Sequence, residues 1–100
     1  MAIVAVSIAP IGASTSVGPY VAAALRVARA QTRISVELGA MFTTLEGELG
    51  EIFALIQDMQ EAVFEAGAER VSTVVKIDER RDRAASASEK VRAVEALLEE

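Results

Sequence analysis

The chain opens on a run, Ala2 to Ile11, in which Val4, Val6 and Ile8 alternate with Ile3, Ala5, Ser7 and Ala9. Alternation marks a strand, and apolar residues on both sides of it predict a central strand covered on two faces. Gly12 to Gly18 is a loop of small residues, and Pro19 at a first helical position starts a helix. Val21, Ala24, Leu25 and Ala28 recur along that helix at i, i+3, i+4 and i+7, with Arg26 and Arg29 off the stripe. Arg33 to Leu38 then sets Ile34, Val36 and Leu38 against Arg33, Ser35 and Glu37, a strand with one buried face. Gly39-Ala40 predicts a tight turn into a partner strand, Met41 to Glu46, closed by Gly47. From Glu48 the period lengthens. Leu49, Ile52, Phe53, Ile56, Met59 and Val63 form a helical stripe opposed by Glu48, Glu51, Asp58, Glu61 and Glu65, and Gly67 is placed to end it. Glu69 to Asp78 alternates again as a fourth strand. Ser86 and Glu89 have the spacing of a capping box, and Ala87, Val91, Val94 and Leu98 repeat at helical intervals up to Glu99.

The order βαββαβ plus a final helix contains two split βαβ crossovers, each required to be right-handed. That predicts an α+β, ferredoxin-like sandwich: an antiparallel sheet of order 4-1-3-2, two helices on one face and an additional C-terminal helix. One domain, residues 1–100, accounts for the whole chain. The other sheet face has no helix except the last one. Because the first and fourth strands are apolar on both sides, a homo-oligomer, dimer or tetramer, is expected to form through sheet packing.

Composition narrows the chemistry. Hydrophobic residues make up 52% of the chain, which excludes a disordered polymer. With neither cysteine nor histidine, there is no disulfide framework, no thiolate or imidazole zinc site and no Ser-His or Cys-His nucleophile pair. Any catalysis would run on carboxylates, lysine or the single tyrosine, Tyr20. A net charge of −5 argues against nucleic acid as a partner. No stretch approaches the ~20 apolar residues that span a bilayer. Met1 to Ala13 lacks a basic leader region and reads as a first strand, so a cytoplasmic protein without a membrane partner is expected.

Three polar clusters interrupt these elements. Ser14, Thr15 and Ser16 follow the first strand. Thr43, Thr44 and Glu46 lie on the third. The fourth ends in Lys76-Ile77-Asp78-Glu79-Arg80-Arg81-Asp82, six charged residues in seven. A core does not require that density, and with the first strand between the other two, the three clusters are expected to converge on one sheet region as a ligand site. Met41 and Met59 read as core filler.

These residues carry a resemblance. Ala9-Pro10-Ile11-Gly12 with Ser14, Thr15 and Ser16, Met41 with Thr43 and Glu46-Gly47, and the run Lys76 to Asp82 closely resemble the thiamine-binding protein family, single-domain relatives of the YkoF-like proteins. The resemblance runs in order over nearly the whole chain. It implies a ferredoxin-like fold, dimers or tetramers, and thiamine or a related aminopyrimidine held without turnover, with no catalytic residue, metal or cofactor. Phe42 stands where the family usually has glycine, and its ring would either fill a cavity or offer a stacking surface. Under this resemblance Glu46, Ser14, Ser16 and Thr44 would satisfy the ring nitrogens and amino group, and Asp78 or Glu79 would face the thiazolium. Thr15, Thr43, Lys76 and Arg80 complete the candidate set; Lys76, Arg80 and Arg81 would suit a phosphate ester, pair with acids or, equally, serve subunit contacts.

Three other readings compete. A regulatory or interaction oligomer would change its assembly with a different small ligand. An enzyme would use Glu46 or Asp78 as base and Lys76 as electrophile, but without histidine it needs a strongly shifted pKa. A hard cation at Asp78, Glu79 and Asp82 would compete with Arg80, Arg81 and Arg83 for the same oxygens.

Overall fold

The computed structural model describes residues 1–84 and 86–100. The elements are β1 (Ala2–Pro10), α1 (Gly18–Arg29), β2 (Ser35–Leu38), β3 (Thr43–Gly47), α2 (Leu49–Glu65), β4 (Val71–Glu79) and α3 (Ala87–Leu98). The four strands form one antiparallel sheet in the order β2-β3-β1-β4, the expected ferredoxin-like arrangement with β1 at its centre. Strand ends differ from the alternation by one to two residues. Ile11 leaves the sheet, although its N–H still reaches the Arg70 carbonyl at 2.8 Å. Met41 and Phe42 belong to the β2–β3 turn, so Met41 is 81% exposed and fills no core; Met59 does. Gly39 permits that turn, since a Cβ there would overlap the Phe42 carbonyl.

One face of β1, carrying Ala2, Val4, Val6 and Ile8, packs under α1 and α2 with Leu45, Ile52, Leu55, Ile56, Met59 and Val63. Each large apolar side chain sealed there contributes roughly 1.5–3 kcal/mol. The helices are positioned by local hydrogen bonds. The Glu48 carboxylate caps α2 by accepting from the Gly50 and Glu51 N–H groups at 3.0 and 2.9 Å. Gly67, at φ +117°, ends α2 in a backbone region that side chains disfavour. Gln31 knots α1 to β2: its amide donates to the Ala28 and Ile34 carbonyls and accepts from the Arg33 and Ile34 N–H groups, all at 2.8–2.9 Å.

The capping box of α3 forms as expected, with Ser86 and Glu89 satisfying each other's backbone N–H groups. Yet α3 buries none of its side chains. It stands over the face of the sheet opposite α1 and α2. Its position is fixed by two polar contacts: the Ala87 N–H donates to Glu46, and the Lys90 ammonium pairs with Asp78.

Candidate functional site

Strand register decides which of the polar residues meet. Glu46 and Asp78 are both paired with Ile3, on opposite sides of β1, and Thr44 and Lys76 are both paired with Ala5. Side chains alternate across a sheet, so these four, with Ile3 and Ala5 between them, share the face away from α1 and α2. Ser35 beside Glu46 and Glu37 beside Thr44 extend the two rows onto β2. Arg80 follows immediately at the end of β4. The third and fourth strand clusters therefore do converge.

The Ser14-Thr15-Ser16 loop does not join them within the chain. It follows Pro10, which pairs with Val71 at the far end of β1. Seven residues separate Ile3 from Pro10, about 24 Å along an extended strand. In place of a ligand contact, Ser14 makes a local turn, its hydroxyl donating to the Ser16 carbonyl at 2.6 Å and accepting from the Ser16 N–H at 3.2 Å. Thr43 also points away from the other candidates. It pairs with Val6 and is buried on the side of the two helices. Phe42 lies in the turn, 39% exposed.

Charges at the end of β4 are largely committed. The Asp78 carboxyl is held below its ordinary value by its hydrogen bond and attraction to Lys90, with Arg80 and Lys76 adding to the effect. Arg80 forks onto Asp82, its Nε lying 2.7 Å from Oδ1. That bond pulls the Asp82 carboxyl down to about 2 and raises the guanidinium in turn. Arg81 Nε reaches Glu79 at 3.3 Å. Each carboxylate of the Asp78, Glu79 and Asp82 trio thus has its own cation. Among the described residues, no three acidic groups gather as a metal cage.

Helix α3 divides the face into cavities. One, of about 390 Å³, lies between the end of β4 and α3, with Met1 and Ile3 as its apolar part and Asp78, Arg80, Arg83, Glu89 and Lys90 around it. Across the helix, a cavity of about 450 Å³ opens between Thr44, Glu37 and Leu38 on one side and Ala87, Ser88, Val91 and Arg92 on the other. Such volumes fall in the range of small-molecule sites. The geometry can hold a flat, polar molecule against the sheet, with Thr44 and Glu46 as hydrogen-bonding groups.

A family model described as thiamine-binding protein matches residues 4–95, which span the sheet except the first two residues of β1, and most of α3. The chain belongs to that family. Among its relatives, the UPF0045 protein YqgV of Bacillus subtilis is 41% identical, the match covering 99% of each chain. The crystal structure of the hypothetical protein MJ1052 from Methanocaldococcus jannaschii is similar with a TM-score of 0.86 at 35% identity, covering 94% of this chain and 95% of that one. A Thermotoga maritima protein, TM0486, provisionally assigned to thiamine biosynthesis or salvage, superposes with a TM-score of 0.79 at 22% identity over 93% of this chain and 97% of its own. At that identity the likeness is one of fold.

Sequence reasoning missed the contribution of α3 to this candidate site. Its capping box located the helix, but no periodicity predicts that its first backbone N–H would fall on Glu46 or that Lys90 would reach Asp78. Ser35, Glu37, Ile3 and Ala5 were missed as well: a two-residue turn at Gly39-Ala40 would have paired Glu37 with Phe42, whereas the longer turn pairs it with Thr44.

Proposed function

We propose that the protein binds thiamine or a related aminopyrimidine without chemical turnover, as a cytoplasmic oligomer of two or four chains. The observation that carries this reading is the family match across residues 4–95. The placement of Thr44 and Glu46 on one open, partly apolar sheet face supports it further. A carboxylate accepts from the exocyclic amino group of such a ring, a threonine hydroxyl serves a ring nitrogen, and Ile3 and Ala5 offer a flat apolar floor. A site that hydrogen-bonds the ring in this way discriminates against analogues lacking those groups.

Assembly is supported by uncovered apolar surface. β4 pairs only with β1, which leaves nine residues of free strand edge, and Val74, Val75 and Ile77 on it are 53%, 36% and 42% exposed. A long apolar edge is a template for pairing with another chain. Val75→Lys combined with Ile77→Lys is expected to reduce the mass measured by light scattering to that of one chain, and an unchanged mass would remove β4 from the interface.

Isothermal titration calorimetry tests the ligand. Protein cleared of co-purified ligand by unfolding and refolding is titrated with thiamine, its phosphates and the free aminopyrimidine. Saturable binding, weakened about tenfold or more by Glu46→Gln as expected for a hydrogen bond to a charged group, is the predicted result. No heat with any of them, from refolded protein, would reject the reading.

A second reading, a regulatory oligomer responsive to a small ligand, draws support from α3. The helix is anchored on Glu46 and Asp78, two groups a ligand would also use. Occupancy competing with those anchors would reposition the exposed Val91, Val94, Leu97 and Leu98. A ligand-dependent change in oligomeric mass distinguishes this from passive binding.

A further inference from the structure

We propose that the flank of α2 beside β4, together with the free edge of β4, is a two-fold seam that joins this chain to a second copy of itself. The Thr73 hydroxyl donates to Gln60 Oε1 at 2.5 Å, which places that flank of the helix beside the edge strand. At about 100° per residue, Phe53, Gln57, Gln60 and Phe64 fall within an arc of about 60° there. Phe53 and Phe64 are 48% and 36% exposed, and Val75 and Ile77 are exposed on the same side of the sheet. The acids of α2, Glu51, Asp58, Glu61 and Glu65, all lie on a separate arc, so the flank is uncharged.

The pattern reads the same in both directions. Phe53 and Phe64 lie equally far from the midpoint between Asp58 and Met59, and so do Gln57 and Gln60. An isologous contact needs a surface that complements itself in this way. A two-fold axis at the midpoint sets Phe53 against the partner's Phe64 and Gln57 against the partner's Gln60. The Gln60 oxygen is already bonded to Thr73, and its amide N–H groups are left to donate across the seam. Because α2 lies over β1, one strand in from the edge, its axis and the partner's would stand three inter-strand spacings apart, about 14 Å. Small side chains would leave that gap open, and a phenylalanine from each side closes it.

The same axis fixes the strand register. α2 runs antiparallel to β4, and its midpoint lies about 2 Å before Gln60 along the helix. That is less than one strand residue beyond Thr73. Two strands of one sheet keep their faces only when the axis passes through a residue, so Val74 meets its own copy. Ile77 then opposes the partner's Val71, and Asp78 opposes the partner's Arg70, an attraction made twice. Arg70 continues the strand line, since its carbonyl still accepts the Ile11 N–H. Glu79 would oppose the partner's Glu69, but Glu69 sits in a bend before the strand and Glu79 has Arg81 beside it. The inference rests on the assembly reading above, which it sharpens from an exposed edge to one contact, and it is independent of the ligand.

The chain has no cysteine, so Val74→Cys introduces a lone thiol. Across the axis its Cα would lie about 4.5–5.5 Å from its own copy, inside the range that a disulfide spans. Mild oxidation of the full chain should convert most of Val74→Cys to a covalent dimer on a non-reducing gel. Ser72→Cys, whose two copies would be about 14 Å apart along the strands, should stay a single chain. Light scattering on Phe53→Arg should show a mass lower by half or more, and Phe53→Leu should keep the parent mass. Ser72→Cys linking as readily as Val74→Cys, or neither linking, would overturn the register, and an unchanged mass for Phe53→Arg would overturn the α2 seam. A parent protein with the mass of one chain would end the assembly reading and this proposal together. A parent oligomer in which Val74→Cys does not link would leave assembly to another surface and reject this seam alone.

Discussion

On the side of the sheet that carries α1 and α2, Val4, Leu45, Ile52 and Val63 are fully sealed from water. On the other side, Ile3, Ala5, Thr44 and Glu46 are only partly buried, and Leu97 and Leu98 of the covering helix are 65% and 79% exposed. Both faces belong to the same four strands, and β1 supplies apolar residues to each. The first face closes on a jigsaw of aliphatic side chains. The second is spanned by a helix held through one backbone N–H and one ion pair. The difference separates the work of folding from the work of binding: stability is concentrated where water is excluded, and the polar groups that could read a ligand stand where the chain leaves space.

Substitutions can break that division. Ile52→Ala empties a sealed position, and urea unfolding is expected to show a loss of about 2–5 kcal/mol. Gln31→Ala removes four hydrogen bonds at the α1–β2 junction, and the same measurement is expected to show a loss of about 1–3 kcal/mol. Leu98→Ser, on α3, should shift stability by less than about 0.5 kcal/mol, as for other exposed sites. A loss comparable to that of Ile52→Ala would mean that α3 is folded into the core energetics after all, and the contrast between faces would fail.

The smallest effect is electrostatic. The Asp82 carboxyl is depressed from 3.8 to about 2 by Arg80. A depressed acid contributes stability that is present above its unfolded value and lost as pH falls through its folded one. The Arg80–Asp82 contact should therefore persist at pH 7 and dissolve between pH 3.8 and about 2. Following the Arg80 Nε–H resonance through that window tests it, with Asp82→Asn expected to remove the transition and to lower thermal stability at pH 7 only slightly, because the pair is solvent-exposed. The Asp78–Lys90 tether of α3 follows the same sign, weakening only on acidification.

Much of this was legible in the residues. Alternation located all four strands, the capping box located α3, and two-sided apolarity put β1 at the centre. The convergence of three polar clusters was not correct as expected, and the reason is directional. β3 and β4 run antiparallel to β1, so their next-to-last residues, Glu46 and Asp78, lie beside the start of β1, whereas the Ser14–Ser16 loop follows its end. The topology already contained that separation. Thr43 was lost to the same kind of argument, because alternation with Thr44 puts one of the two on the sealed face. What no pattern contained was the docking of α3, which depends on contacts 41 and 12 residues apart in sequence. Leu38 and Met41 were misjudged because the β2–β3 turn is longer than Gly39-Ala40 suggests, leaving both exposed.

The most direct test of the central claim, that the open face of the sheet is the binding face, is a backbone amide NMR titration of the refolded protein with thiamine. The account predicts saturable shifts concentrated at Ile3, Thr44, Glu46, Lys76, Asp78 and the first turn of α3, with the α1–α2 side unmoved. Shifts confined to α1 and α2, or none at any ligand concentration that dissolves, would contradict it.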